Sequence, residues 1–576
     1  MASGEDHNET NENERANACM DERNEDGHMI ERDGDEREDG ELSDDEDDMN
    51  QDEMEWREHI TMAWYADDAQ AAGGVRHLRC LWDNVCEIGP KYGFHPKPGK
   101  SFLVVKPQQA DVAREAFAGT GVIIEGAGHR DLGAVIGTDA FVEKYCDGMV
   151  DKWQQQLLCL AEIARTQPQA AHAAFTYGLR NRWSFGQRTL RTLGAHLQPL
   201  EDAIRLKFLP KLFGMDSHAV SDDQRALLAL PARLGGLGLD NPVVEAPFKY
   251  ADSKEYTKPM VELLKRSESK LLLDEDRQRQ ALKSIRRQNQ ERHQADAKAL
   301  KDRASPDLAR AIDLAQEKGA STVFSSLPLA EYGFVFKAKR DYTDLICMRY
   351  RMPIPNLPTV CSCGKPYSLD HSQVCLKGGF IHMRHDTPKK LFAQFASEVF
   401  ADVEVEPPLV PVDGEVMRLK SANVQPDARS DVRVRGFWTD ERNAFFDMRV
   451  FYPFASSYRH QKPSMLHRKA EQEKKRAYGQ RVAEVEGADF TPLVMSSTGG
   501  MGNEMQIALK HLASKIAEKR RARYSQIATL LRRKMAFAMM RSALVCLRGS
   551  RSRYPRRVGP LENGELAASQ LRFGFC

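Results

Sequence analysis

The sequence predicts a multidomain α+β fold, and three observations carry that expectation. Its 576 residues leave room for three or four domains. Short apolar runs with strand spacing alternate with amphipathic helical stretches over residues 60–242, and apolar content returns at 323–336 to open a second globular half. Between the halves lies a stretch rich in Arg, Gln, Lys, Glu and Ala and poor in glycine and proline. The expected order is an acidic tail (1–58), a mixed strand and helix region (59–250), a charged helical linker (251–320) and a segment ending in a cysteine cluster (321–376). A mixed-sheet domain (377–514) and a basic C-terminal helix and tail (515–576) complete it.

The formal charge of zero hides an asymmetry. Residues 1–55 hold 24 acidic residues against 4 arginines, so the remainder carries 79 basic against 59 acidic side chains. A basic body neutralises phosphates, which makes DNA and RNA the expected partners, and a tail with so little apolar content is expected to stay disordered. No run of eighteen apolar residues exists, which argues against a membrane span. The eleven cysteines are scattered apart from one cluster, and no secretory signal opens the chain. Both point to a reduced intracellular compartment rather than a disulfide framework.

Within 59–250 the most informative stretch is Tyr65-Ala66-Asp67-Asp68. Paired aspartates at a hairpin tip suit phosphoryl transfer, where two ions about 3.5–4 Å apart clamp the attacking and leaving oxygens. Downstream come Gly89-Pro90-Lys91-Tyr92-Gly93-Phe94, Pro98-Gly99-Lys100-Ser101 and Arg130-Asp131-Leu132-Gly133-Ala134-Val135-Ile136-Gly137. Strands are expected at 102–105 and 121–124, and helices dominate after Asp139, with Trp153, Leu157, Leu158 and Leu160 as core packing. Leu234-Gly235-Gly236-Leu237-Gly238-Leu239 reads as a turn-rich stop.

In that order the motifs resemble the reverse transcriptases of retrotransposons. The resemblance implies part of a palm with a helical thumb, Asp67 and Asp68 as catalytic ligands of Mg²⁺ or Mn²⁺, and Lys100 near nucleic acid. It also implies a further essential aspartate on an earlier strand. About sixty residues precede Asp67 and most are polar, so the expectation is a truncated polymerase unable to polymerise alone. A polymerase whose first half comes from another chain or an upstream exon is the other option. Residues 268–302 read as a long exposed helix, either a solvated spacer or a surface offering Arg286, Arg287 and Arg292 to nucleic acid.

Cys361, Cys363, His371 and Cys375 form a four-ligand set separated by one, seven and three residues. Thiolates and an imidazole so placed can close a tetrahedron around Zn²⁺, with Gly364 and Pro366 supplying a tight turn. The one-residue gap is tighter than the usual CxxC. Beyond it come Arg384-His385-Asp386, a helical run expected at 388–403, and two strand patterns carrying Asp431 and Asp447. A turn at 439–443 would make those strands antiparallel and bring both aspartates to one metal site.

The order of knuckle, Arg-His-Asp, two strand aspartates and a later lysine resembles the restriction-like endonuclease of site-specific non-LTR retrotransposons, over roughly residues 361–510. The shared PD-(D/E)XK core implies Asp431 and Asp447 as catalytic acids on Mg²⁺ or Mn²⁺ and a lysine that helps activate water. Arg449 stands where the usual lysine would, and a guanidinium is a poor base. Lys474, ahead of Tyr478, fits the lysine of the retrotransposon enzymes best, with Lys469 and Lys475 as alternatives. Pro426-Asp427 is an alternative first acid. Arg384 and His385 are expected to face nucleic acid. So are Arg532 and Arg533 in the basic C-terminal run, where Tyr524, Phe537 and Tyr554 could stack on bases. A nuclear-import signal is the competing use of that run, and the location expected is the nucleus. The expected function is nucleic-acid binding with metal-dependent nicking of DNA, and the alternative is a binding protein that lost both chemistries.

Overall fold

A computed structural model describes residues 59–65, 68–215, 219–265 and 274–551. The acidic tail, Asp67, and Arg553, Tyr554, Arg556 and Arg557 therefore lie outside the described residues. The chain divides into two units, 1–60 and 61–576. The second is an α+β assembly, largely helical with small sheets.

It begins with a hairpin. Strands β1 (Ile60–Tyr65) and β2 (Asp68–Gly73) pair on either side of residues 66–67. Helix α1 (Val75–Ile88) follows, and then β3 (Phe102–Val104) runs parallel to β4 (Ile123–Glu125) across α2 (Ala110–Ala116). The Arg130–Gly137 motif folds into a second hairpin, β5 (Gly128–Asp131) with β6 (Ala134–Gly137). Leu132 and Gly133 both take positive φ, the backbone that a two-residue hairpin loop requires. Gln70 of β2 donates to Asp131 at 2.7 Å and ties the hairpins together. Few side chains are buried here, and β2 is exposed along its whole length.

The helical region has a deep core. Thr138 caps α3 (Asp139–Ala164), whose Cys146, Val150, Trp153, Leu157, Leu160, Ala161 and Ala164 recur every three or four residues and form its buried stripe. Leu158 falls between those positions and is 38% exposed, so its expected place in the core is not the observed one. Helices α4 (Pro168–Ala174) and α5 (Arg180–Thr189) join the same core, where Trp183 of α5 lies between Trp153 of α3 and Phe175 of the connecting turn. After the glycine-rich stop, α6 (Pro242–Lys265) leads to α7 (Glu275–Arg303), the expected charged helix, capped by Asp274 and burying only Ala297 and Leu300. Arg292 is not held out to solvent: it forks onto Glu245 with two bonds of 2.9 Å.

The apolar core does not stop at the charged stretch. It continues from α3–α5 through α8 (Pro306–Ala315) and α9 (Lys339–Tyr350) into the second half. Polar latches fasten the join: Gln169 bonds the Phe334 carbonyl and the Phe336 amide, and Arg349 donates to the carbonyls of Ala232 and Ala320. His172 is fully enclosed, its Nε2 at 2.9 Å from the Leu237 carbonyl and its Nδ1 at 2.7 Å from the Tyr342 hydroxyl. Burial pushes its pKa down to about 4, so it is a neutral ring, with Nε2 donating and Nδ1 accepting.

Beyond a short helix α10 (Leu369–Val374), α11 (Phe380–Ser397) packs on a four-stranded mixed sheet. It starts eight residues before the expected helical run and carries Pro388 inside it. Strand β8 (Val432–Arg435) lies antiparallel between β7 (Val403–Val405) and β9 (Asn443–Phe451). Helix α12 (Pro463–Lys474) then returns the chain to β10 (Asp489–Ser496), parallel to β9. Phe446 packs on Phe392 and Phe437, while Phe445 joins Leu409 and Val482 in a separate cluster. Helices α13 (Asn503–Arg520) and α14 (Tyr524–Arg548) close the fold. No helix among the described residues is long and apolar enough to cross a membrane.

Candidate functional site

The β8–β9 ladder pairs Val432 with Phe446, so one further step places Asp431 opposite Asp447. The Asp431 amide donates to the Phe446 carbonyl, and its Oδ2 accepts from the Met448 amide at 2.6 Å, fixing the side chain toward its neighbour. Asp447 lies on the central strand, covered on both faces, and is 6% exposed. Burial pushes its carboxyl pKa up; the Lys474 charge opposes this and the Asp431 charge adds to it. The expected pair of acids is therefore brought together.

Lys474 ends α12 with its Nζ 2.5 Å from Asp447 Oδ2 and 5.4 Å over the Tyr478 ring. That oxygen is buried and receives no hydrogen bond of good angle, so the contact is an ion pair with acceptor capacity to spare. The alternatives point elsewhere. Lys469 reaches Gln461, Lys475 reaches Glu504, and Arg449 is held by Glu473 and Tyr458. Asp427 is exposed in a turn.

Helix α11 supplies the other wall. His385 Nε2 lies 3.0 Å from the Met448 carbonyl and 3.3 Å from Asp431 Oδ2, while Nδ1 lies 3.2 Å from Asp386. Every partner is an acceptor, so the ring is best satisfied with protons on both nitrogens. Burial works against that charge, but the bonds to Asp431, Asp386 and the Met448 carbonyl prevail and raise the pKa to about 9. His385 thus faces Asp431 and Asp386 while its side chain stays 32% exposed.

Sequence reasoning missed Lys389 and Glu406. Lys389 is 2% exposed, and its Nζ reaches Glu406 at 2.6 Å, Asp386 at 3.0 Å and Asp431 at 3.7 Å. Glu406 sits at φ +58°, with its amide donating to the Asp431 carbonyl. The Asp386–Lys389 spacing of three on a helix could have flagged the lysine. Nothing local marked Glu406.

The cysteine cluster assembles as well. Among the described residues, Cys361, Cys363, His371 and Cys375 are the one group of three or more potential ligands spaced to hold a metal, their ligand atoms all within 4.8 Å. Cys361 Sγ stands 3.8 Å from Cys375 Sγ, well beyond a disulfide bond of about 2.05 Å. Cys363 Sγ stands 3.4 Å from His371 Nε2. The Gly364 amide closes a turn onto the Cys361 carbonyl, with Gly364 at φ +85°, and Ser368 caps the helix that presents His371.

Several expected nucleic-acid contacts are structural instead. Arg384 is 3% exposed and donates to the carbonyl and side-chain oxygens of Gln373, joining α11 to the cysteine loop. In the basic C-terminal run, Arg541 donates to the Val335 carbonyl, Arg551 donates to the Tyr367 hydroxyl and the Ser372 carbonyl, and Phe537 is buried in the core. An amphipathic helix that docks on a core needs its basic residues for such latches. Arg533 is half-buried beside Tyr177, whereas Arg532 is exposed. In the first half, Asp68 opens β2 and Lys100 is exposed on a short turn of helix. Compared with known proteins, the chain matches no protein-family model and no curated sequence.

Proposed function

We propose that this is a retrotransposon-derived nucleic-acid-binding protein whose second half is a metal-dependent endonuclease that nicks DNA. The observation that carries the reading is the cross-strand pair Asp431 and Asp447 with Lys474 on Asp447. In this reading α11 to β10 is the restriction-like core, and β1 to β6 with the following helices is a partial reverse transcriptase palm and thumb.

Asp431 and Asp447 would hold Mg²⁺ or Mn²⁺, and the bound ion would lower the pKa of water and offset charge on the scissile phosphate. Met448 and His385 aim the Asp431 carboxylate, so it is ordered before a substrate arrives. Lys474 holds a positive charge beside Asp447, where the attacking water and the phosphate oxygens would meet. The cysteine cluster suits Zn²⁺: bonds of about 2.3 Å to sulfur and 2.0–2.1 Å to nitrogen give tetrahedral edges of about 3.8 and 3.5 Å. The observed separations of 3.8 and 3.4 Å agree with that. A chromosomal DNA substrate would place the protein in the nucleus.

The test is nicking of supercoiled plasmid with Mg²⁺ or Mn²⁺ by the wild type, Asp431→Ala and Asp447→Ala. Loss in both variants is expected. Nicking that survives in either removes the metal-site reading. The rival, a binding protein without catalysis, draws support from the protein cations that already face each acid. Salt-sensitive DNA binding with no nicking by any of the three would establish it.

A further inference from the structure

We infer that the acidic site takes one divalent ion rather than two, because the Lys389 ammonium occupies the electrostatic place of the second. The inference rests on the proposed reading of Asp431 and Asp447. Two-ion phosphoryl-transfer sites bring four positive charges within about 4 Å, and protein carboxylates must balance the part that the substrate phosphate does not. Here the aspartate between two ions would be Asp431, whose Oδ2 faces His385 and the Met448 amide and whose Oδ1 faces Lys389.

The carboxylates available to a second ion are Asp386 and Glu406, and both are already spent on Lys389, at 3.0 and 2.6 Å. Their oxygens, with that of Asp431, surround the ammonium but are not spaced as a ligand set for a metal. Lys389 cannot be displaced cheaply. It is 2% exposed and rises from α11 beneath the sheet, so an incoming ion would leave a buried ammonium with no partner. On the other side, the cation on Asp447 is Lys474, whose side chain is 24% exposed and can swing into solvent at far smaller cost than the 2% exposed Lys389, so the position between Asp431 and Asp447 can admit one ion.

The arrangement also explains the backbone of Glu406. A glutamate at φ +58° is strained, and it is held by its own amide on Asp431 and its carboxylate on Lys389. Lys389 is thus a positioning residue. It supplies charge to the acids without touching substrate.

The experiment counts Mn²⁺ bound to the full-length, Zn²⁺-loaded protein in excess of that bound by an Asp431→Ala/Asp447→Ala double variant, by equilibrium dialysis and by the electron paramagnetic resonance of free Mn²⁺. Asp67, Asp68 and the acidic tail are common to both and cancel from every count below. The wild type is expected to bind one Mn²⁺, and Lys389→Ala two, since three carboxylates can then close around an ion. Glu406→Gln, whose side chain is half exposed, is expected to keep one ion with little change in affinity. Two ions on the wild type overturn the inference, as does one ion on a folded Lys389→Ala protein. So does a loss of about tenfold or more in Mn²⁺ affinity for Glu406→Gln, which would make Glu406 a ligand. If Lys389→Ala does not fold, the wild-type count decides alone. Failure of the underlying reading looks different: Asp431→Ala and Asp447→Ala would then bind Mn²⁺ as the wild type does, or the wild type would bind none.

Discussion

Lys474→Met removes an ammonium from beside a carboxylate that is 6% exposed and leaves that charge alone. At 2.5 Å and an effective dielectric of about 20, the attraction lost is about 6–7 kcal/mol. Relief of the lysine's own desolvation offsets part of it, and stripping one partner from a buried pair typically costs about 3–5 kcal/mol. Lys474 is 24% exposed, so a loss near the lower end, about 3 kcal/mol, is expected. A divalent ion at the same acids would take over the ammonium's task. At a hundredfold excess over its dissociation constant it returns about 2.7 kcal/mol. Urea unfolding of wild type and variant, with and without saturating Mg²⁺, reads both numbers. The wild type gains from the ion as well, so the deficit should shrink by the difference in affinity: an ion about tenfold tighter on the variant, freed of a repelling ammonium, brings it from about 3 to about 1.6 kcal/mol when Mg²⁺ is present. Lys475→Met, whose partner Glu504 lies away from the acids, should show no such dependence. An equal deficit with and without Mg²⁺ would refute the placement of the ion.

Two further outcomes follow from the shared core. His172 has its pKa pushed from 6.5 down to about 4, so its neutral ring stabilises the fold fully above pH 6.5. That contribution is lost as pH falls through 4, about 3 kcal/mol at about 1.4 kcal/mol per unit. His172→Gln keeps a donor and an acceptor but does not titrate. The stability gap between wild type and variant, measured by urea unfolding, should therefore narrow by that amount between pH 7 and pH 4, and a constant gap would contradict it. Gly236→Ala places a Cβ 1.9 Å from the Leu230 carbonyl oxygen, a backbone atom that cannot yield. A loss of about 3 kcal/mol or more and a marked fall in Tm are expected, and an unchanged Tm would show that the 230–239 turn relaxes.

Much of this was legible because the residues act through local spacing. The strands around Asp431 and Asp447 announced themselves by alternation, and a short turn between them left antiparallel pairing as the simplest outcome. The cysteine loop was legible for the same reason: its ligands lie within fifteen residues. What failed was long-range. Arg384, Arg541 and Arg551 look like phosphate binders in sequence, yet their bonds include carbonyls and side chains 11, 206 and 184 residues away. Lys389 and Glu406 meet only because β7 lies against α11, and no period in the sequence encodes that meeting. Leu158 shows the limit of counting apolar residues without fixing the helix phase.

The core that runs unbroken from α3 to α14 has a practical consequence for anyone who would isolate the nuclease-like half. A fragment opened near residue 321 would bare the faces of Phe334, Phe336 and Tyr342 that Gln169, His172 and their helix now cover. It would also take the Ala232 carbonyl from Arg349. Such a fragment should express as aggregate, whereas one opened at Asp139 retains every one of those partners and is the unit to clone.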